Sequence, residues 1–144
     1  MEPHFHLHLI DLIENVQRNF TKRIPSMSSL PYSERLALLY LELLELHRLR
    51  FDLIYYCKIL NYLTPFNPCD VFTIYVPAAR SRSELPYLQK PAKATNRLRS
   101  TFFYRNIDAW NALPSALRSS TSLPAFKRYL KQLDLSNHLK GSAT

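Results

Sequence analysis

The chain has one glycine in 144 residues, Gly141, close to its C-terminal end. Glycine lets a backbone pass close to a phosphate and take up the positive-φ turns that other residues avoid. Phosphate-cradling loops, dinucleotide-binding turns and the GxSxG nucleophile elbow all need it at fixed positions. Those nucleotide-binding and hydrolase chemistries are therefore excluded on backbone grounds. Two-residue hairpins of the Asn-Gly type are excluded as well. Ten prolines divide the rest into segments, and the leucine-rich runs between them favour helices. The expectation is a mainly α chain of one-domain length.

At 47% hydrophobic and 12% aromatic the chain has enough apolar side chain for a core. Cys57 and Cys69 are too few for a disulfide framework and lack CxxC spacing, so reduced thiols in an intracellular, nuclear or cytoplasmic protein are expected. The densest apolar stretch, 36–46, carries Glu42 and Glu45, so no membrane span or membrane partner is expected. Glu2 and three histidines occupy the N-terminal stretch where a signal peptide needs Lys or Arg. Without a secretory route the sequon Asn19-Phe20-Thr21 carries no meaning.

The formal charge is +8, and it is unevenly spread. Residues 1–79 hold seven Lys/Arg against eight Asp/Glu, whereas 80–144 hold twelve against three. The densest basic stretch contains Arg80, Arg82, Lys90, Lys93, Arg97, Arg99 and Arg105, with Glu84 its one acid. Such asymmetry points either to a polyanionic partner or to a solvated loop.

Helical periodicity marks a first helix over 5–20, with Leu9, Leu12, Ile13, Val16 and Phe20 on one face. Asp11 and Glu14 near its start and Arg18, Lys22 and Arg23 near its end suit the helix dipole, and Pro25 stops it. Pro31 opens a second helix, and a third covers 44–63, with Arg48 and Asp52 spaced to pair at i,i+4. The sequence leaves open whether these two helices are continuous near residue 43. Together 1–63 form an N-terminal region of three helices. Residues 64–100 then read as a long basic extended loop with prolines, holding one short extended or strand segment at 71–76. Helical spacing returns over 101–113 through Phe103, Ile107 and Trp110, and again over 123–133 with Ser122 as N-cap. Residues 101–135 are thus C-terminal helices, and 136–144 should fray. The whole reads as one domain of five or six helices.

Chemistry-bearing constellations are scarce. On a strand His4, His6 and His8 would share a face, and on a helix His4 and His8 would, but they lack further ligands. No metal or cofactor is expected. The aspartates, Asp11, Asp52, Asp70, Asp108 and Asp134, are never adjacent, so nothing local holds two metals for phosphoryl transfer. Cys57 falls mid-helix on an apolar side, the setting of an inert thiol. Tyr55, Tyr56, Phe102, Phe103 and Trp110 can stack on bases or form core.

The stretch Glu14-Asn15-Val16-Gln17-Arg18-Asn19-Phe20-Thr21-Lys22-Arg23-Ile24-Pro25 resembles the VQRRFTKRIPG segment of LINE-type non-LTR retrotransposon polymerases of the jockey and chicken-repeat kind. The similarity continues through Leu30-Pro31-Tyr32-Ser33-Glu34-Arg35-Leu36, Arg48-Leu49-Arg50-Phe51-Asp52-Leu53-Ile54 and Tyr56-Cys57-Lys58-Ile59-Leu60-Asn61. It resumes at Ser81-Arg82, Lys90-Pro91, Thr95-Asn96-Arg97, Phe102-Phe103-Tyr104-Arg105, Trp110-Asn111-Ala112-Leu113-Pro114 and Phe126-Lys127-Arg128-Tyr129-Leu130. In that family these motifs follow the fingers, palm and thumb of an endonuclease–reverse transcriptase. The resemblance implies a C-terminal tail of such a protein, with Met1 at an internal position of the parent. The departures are Ser26 where the family has glycine after Ile-Pro, and Ser83-Glu84-Leu85 after Ser81-Arg82. The family's Asp-Asp catalytic motif is not in this chain, so no catalytic residue carries over and the chain is not expected to be an enzyme.

The resemblance implies an accessory binding role beside the missing polymerase thumb, its packing partner, with an RNA or DNA backbone as ligand. The candidate phosphate contacts are Arg80, Arg82, Lys90, Lys93, Arg97, Arg99 and Arg105, joined by Lys127, Arg128 and Lys131. A free-standing helical interaction module and a non-functional translated remnant are the alternatives.

Overall fold

The computed structural model describes residues 3–75, 87–93, 95–99 and 101–140, with backbone alone at 3–6 and 96. It is mainly helical. The order is α1 (Pro3–Lys22), α2 (Tyr32–Leu38), α3 (Leu44–Leu60), α4 (Pro68–Val71), β1 (Thr73–Tyr75), β2 (Tyr87–Gln89), α5 (Asn96–Arg99), α6 (Phe102–Arg105), α7 (Ile107–Asn111), α8 (Ser115–Arg118) and α9 (Leu123–Gln132). A 3-10 turn follows at Ser136–His138. These are nine helices among the described residues rather than five or six, because several are single turns. The stretch expected as one helix over 101–113 divides at Asn106, whose backbone leaves the helical region at φ −115 and ψ 15. Its side-chain amide turns instead to Asp52.

The chain forms two compact units, one of residues up to Leu49 with the segment from Leu135, the other Arg50–Asp134. The division falls inside α3. The first unit holds six Lys/Arg against six Asp/Glu, and the second thirteen against five.

In the first unit α1 does not bury the face its periodicity marks. Leu9, Leu12, Ile13, Val16 and Phe20 are all exposed, and Glu14 and Thr21 are buried instead. Buried polar groups need partners, and here they have them. Arg35 of α2, also buried, donates from Nε to Thr21 Oγ1 at 3.2 Å, and from its two terminal nitrogens to the Leu30 and Arg18 carbonyls at 2.6 and 3.3 Å. The Thr21 hydroxyl in turn donates to the Arg18 carbonyl at 3.1 Å. The Tyr32 hydroxyl donates to Glu14 Oε1, and Glu14 Oε2 accepts the Leu44 N–H at 2.9 Å, capping the start of α3. Gln17 donates to the Tyr32 hydroxyl at 3.1 Å and to the Glu42 carbonyl at 3.0 Å. The guanidinium groups of Arg18 and Arg35 lie over the Tyr32 ring, 5.0 and 5.5 Å from its centroid. Asp11 and Glu14 are mid-helix, not near the start of α1, because the helix begins at Pro3 and has no acid in its first turn. Of the tail expected to fray, 136–144, the described residues 136–140 hold the 3-10 turn, and the Lys140 N–H donates to Glu45 Oε1 at 2.6 Å; Leu135 just before them is buried.

Helices α2 and α3 are separate. After α2 the Leu41 N–H reaches the Leu36 carbonyl at 2.9 Å and the Tyr40 N–H the Ala37 carbonyl at 3.2 Å, with Tyr40 at φ 54. This is a Schellman ending with tyrosine at the left-handed position usually held by glycine. Helix α3 stops three residues before its expected end in the same way. Leu63 N–H bonds the Lys58 carbonyl at 2.8 Å, Tyr62 N–H bonds the Ile59 carbonyl at 3.0 Å, and Tyr62 sits at φ 56. The third left-handed residue is Ser26 at φ 68, in a turn closed by Met27 N–H to the Ile24 carbonyl at 3.1 Å. Pro25 followed by a positive φ is the pattern of a type II turn, which favours glycine where Ser26 stands.

The second unit is built on aromatic rings. Tyr56, Trp110 and Phe126 are almost fully buried. Tyr56 lies 4.8 Å from Phe72, 5.3 Å from Phe102 and 6.0 Å from Trp110, and Trp110 stacks on Phe126 at 5.8 Å. Leu53, Ile59, Ile107, Leu113 and Leu130 complete the centre. The region read as one extended loop, 64–100, holds more order than expected. α4 is capped by the Asn67 side chain on Cys69 N–H at 3.1 Å. β1 and β2 pair antiparallel, with Thr73 opposite Gln89, Ile74 opposite Leu88 and Tyr75 opposite Tyr87. β1 falls within the short strand segment expected at 71–76, whereas β2, three residues long, carries too little periodicity to be read from sequence. The outer partner of β2 is a side chain: Asn111 donates to the Leu88 carbonyl at 2.8 Å and accepts the Leu88 N–H at 3.0 Å.

Candidate nucleic-acid interface

Ten basic residues were expected to contact phosphate, and the structure separates them into three groups. Arg80 and Arg82 lie outside the described residues. Lys90 and Arg105 each pair with an aspartate, Lys90 at the surface and Arg105 at a buried one. Arg105 closes α6, and its Nε and one terminal nitrogen both donate to Asp52 Oδ2, at 2.9 and 2.6 Å. Asp52 is buried on α3, and Asn106 donates to the same oxygen. A buried carboxylate needs such compensation, so Arg105 is a structural residue. The Asp52 carboxylate accepts from Arg105 and Asn106 instead of from Arg48 one turn earlier. Lys90 pairs with Asp108 and lies 5.5 Å from the centroid of the Tyr104 ring. The Lys90 pair is exposed, whereas Arg105 is held at a buried carboxylate.

The third group is exposed: Lys93 before α5, Arg97 and Arg99 on α5, and Lys127, Arg128 and Lys131 on α9. Helix α9 explains its own arrangement. Ser122 caps it by accepting the Ala125 N–H at 3.5 Å, and Pro124 sits in its first turn. Phe126 and Leu130, four apart, face the core. That spacing turns Lys127, Arg128 and Lys131 outward as neighbours at i,i+3 and i,i+4, and α9 carries no acid to offset them. At its C-terminal end Arg50 donates to the Lys131 carbonyl at 3.3 Å, a cation on the negative end of the helix dipole.

Two residues escaped the sequence reading. Tyr129 is exposed on α9 on the other flank of Arg128, an aromatic face beside a cation. Arg118 donates from Nε to the Leu113 carbonyl at 3.1 Å and lies 4.2 Å over the Tyr87 ring. The pattern Lys-Arg-Tyr at 127–129 is the one signal that pointed to Tyr129. Arg118 has none, since its partner is 31 positions away.

Of the aromatic residues left open between stacking and core, Tyr56 and Trp110 are core. Phe102 and Phe103 are half-buried against each other at 5.2 Å, and Phe103 lies 6.0 Å from Phe66. The Tyr56 hydroxyl donates to the Phe102 carbonyl at 2.8 Å, and burial pushes its pKa far above the ordinary tyrosine value. Burial likewise pushes the Cys57 thiol up, with Asn61 Nδ2 3.4 Å from its sulfur acting weakly against it. A raised pKa withdraws the thiolate and with it nucleophilic character. Among the described residues no group of three or more His, Cys, Asp or Glu comes together. His4 and His6 lie on α1, where their side chains are not described, so the strand arrangement of the three histidines does not occur. Among the described residues no helix is long and apolar enough to cross a membrane. No family model, curated protein or solved structure matches the chain.

Proposed function

We propose that the chain is an accessory nucleic-acid-binding segment of the kind that follows the polymerase domains of LINE-type reverse transcriptases, without catalytic activity of its own. The observation that supports this most is the charge of the second unit, thirteen Lys/Arg against five Asp/Glu, with an exposed basic and acid-free face on α9. Phosphate backbones are held by such faces through counterion release, without base readout. Tyr129 adds a ring for one unstacked base. Six exposed cations, Lys93, Arg97, Arg99, Lys127, Arg128 and Lys131, set the size of the effect.

With six contacts to a single strand, the log–log salt slope is about −4, a loss of roughly two orders of magnitude in affinity between 50 and 200 mM salt. Titrating the full chain into labelled single-stranded RNA across that range measures it. The triple variant K127E/R128E/K131E lowers the slope by about 2, whereas K22E/R23E, in the balanced unit, leaves it in place. Absence of binding at the lowest salt, or equal loss in both variants, overturns the proposal.

A further inference from the structure

The apolar stripe of α1 is largely uncovered in its own unit: Glu14 and Thr21 pack on the opposite side of the helix, Gln17 on the flank of the stripe bonds Tyr32 and the Glu42 carbonyl, and Ile13 borders Leu44, Glu45 and Arg48. Leu9, Ile13, Val16 and Phe20 are spaced 4-3-4, the d-a-d-a seam of a coiled coil, with Leu12 beside them. Their exposures are 40, 51, 70 and 70%, and that of Leu12 is 48%.

We infer that α1 pairs antiparallel with α1 of a second copy of this chain. Three features select a copy of itself as the occupant. The 4-3-4 spacing is symmetric about its midpoint, so a two-fold axis there lays Leu9 on Phe20 of the other copy and Ile13 on Val16. The positions flanking the seam, Ile10, Leu12, Gln17 and Asn19, are all uncharged, so the two helices set no like charges against each other there; the nearest charges off α1 are Glu45 and Arg48, of opposite sign, beside Ile13. The five side chains offer roughly 500 Å² per copy, or about 1,000 Å² for a pair, which reaches the lower bound for a specific interface. Antiparallel order follows from charge: it opposes the two helix dipoles and sends Lys22 and Arg23 of the two copies to opposite ends. A parallel pair stacks all four cations at one end.

Sedimentation of the full chain over a range of concentrations reads the monomer–dimer equilibrium. The expected result is a dimer fraction that rises with concentration. Val16→Glu, which places a carboxylate in the seam, weakens dimerisation by about a hundredfold or more while circular dichroism retains the helix content. Register is read by mixing. Leu9→Lys and Phe20→Glu chains are each weakened alone, and together they recover dimer, because antiparallel pairing sets the introduced ammonium of one chain against the introduced carboxylate of the other. The mixture also keeps the test decisive if Val16→Glu disturbs α1, since its readout is a gain. A monomer at every concentration overturns the inference, as does a dimer unaffected by the seam variants. Failure of the mixture to recover dimer overturns the antiparallel register. No nucleic acid enters the experiment, so its outcome is independent of the RNA-binding test.

Discussion

The two units hold themselves together by different means. Among the described residues the first unit buries three hydrophobic side chains, Leu36, Leu49 and Leu135, and as many polar ones, Glu14, Thr21 and Arg35. The second buries thirteen hydrophobic side chains and one polar one, Asp52. Apolar burial is non-directional and tolerant, whereas a buried guanidinium is stable only while each partner stays in place. The second unit is thus a conventional core with a charged exterior. The first is a hydrogen-bonded joint between α1 and α2 with its apolar face left outward. The contrast also separates the proposed roles, polyanion binding on one unit and self-pairing on the other.

The largest expected effect is in the aromatic core. Trp110→Ala removes the ring between Tyr56 and Phe126 and costs about 3–5 kcal/mol in denaturant unfolding, enough to unfold a marginal unit. A cost near 1 kcal/mol shows that these rings do not hold the second unit. Next is the joint. Arg35→Met keeps the length of the side chain but strips donors from the Leu30 and Arg18 carbonyls and from Thr21. It costs about 2–4 kcal/mol, and hydrogen exchange loses protection in α1 and α2 while α7 and α9 keep theirs. Equal loss in both units breaks the contrast.

Tyr32 gives a smaller effect with a pH signature. Burial and its hydrogen bond to Glu14 raise its pKa from 10.0 to about 12. Folding therefore favours the protonated phenol. The stability this contributes is fully present below pH 10.0 and is lost as pH rises towards about 12. Tyr32→Phe loses the bond to the carboxylate, about 1–2 kcal/mol at neutral pH, and removes this component of the alkaline slope. An unchanged slope in the variant assigns the alkaline loss to another group.

Helix existence was legible because Leu, Phe and Trp recur at helical spacing, and the start of α2 after Pro31 and the Ser122 cap of α9 follow from local chemistry. Which face of α1 turns inward was not, because the choice depends on Arg35 and Tyr32, more than ten positions away. The same holds for the site: composition placed the basic residues in the second half of the chain, but Arg105 was lost to Asp52, 53 positions earlier. The strand β2 was illegible for a related reason, since Asn111 supplies its second edge. The motif residues Arg35, Asp52, Arg105 and Asn111 all serve as such long-range partners, which a reading by local period does not see.

The lone glycine has a measurable consequence. Among the described residues three positive-φ positions are filled by Ser26, Tyr40 and Tyr62, each with the steric cost of a Cβ in the left-handed region. Replacing each with glycine removes that clash and adds some freedom to the unfolded chain, for a net gain of about 0.5–1 kcal/mol per site. Tyr40 and Tyr62 are largely exposed, so little packing is lost with their rings. Because the three turns are separate, the gains add. Tyr62→Ala is the control, since it removes the ring but keeps the Cβ. Thermal unfolding in which alanine stabilises as much as glycine assigns the gain to the ring and refutes the strain at this position. Stabilisation by glycine alone establishes that the Cβ at these positive-φ positions is strained.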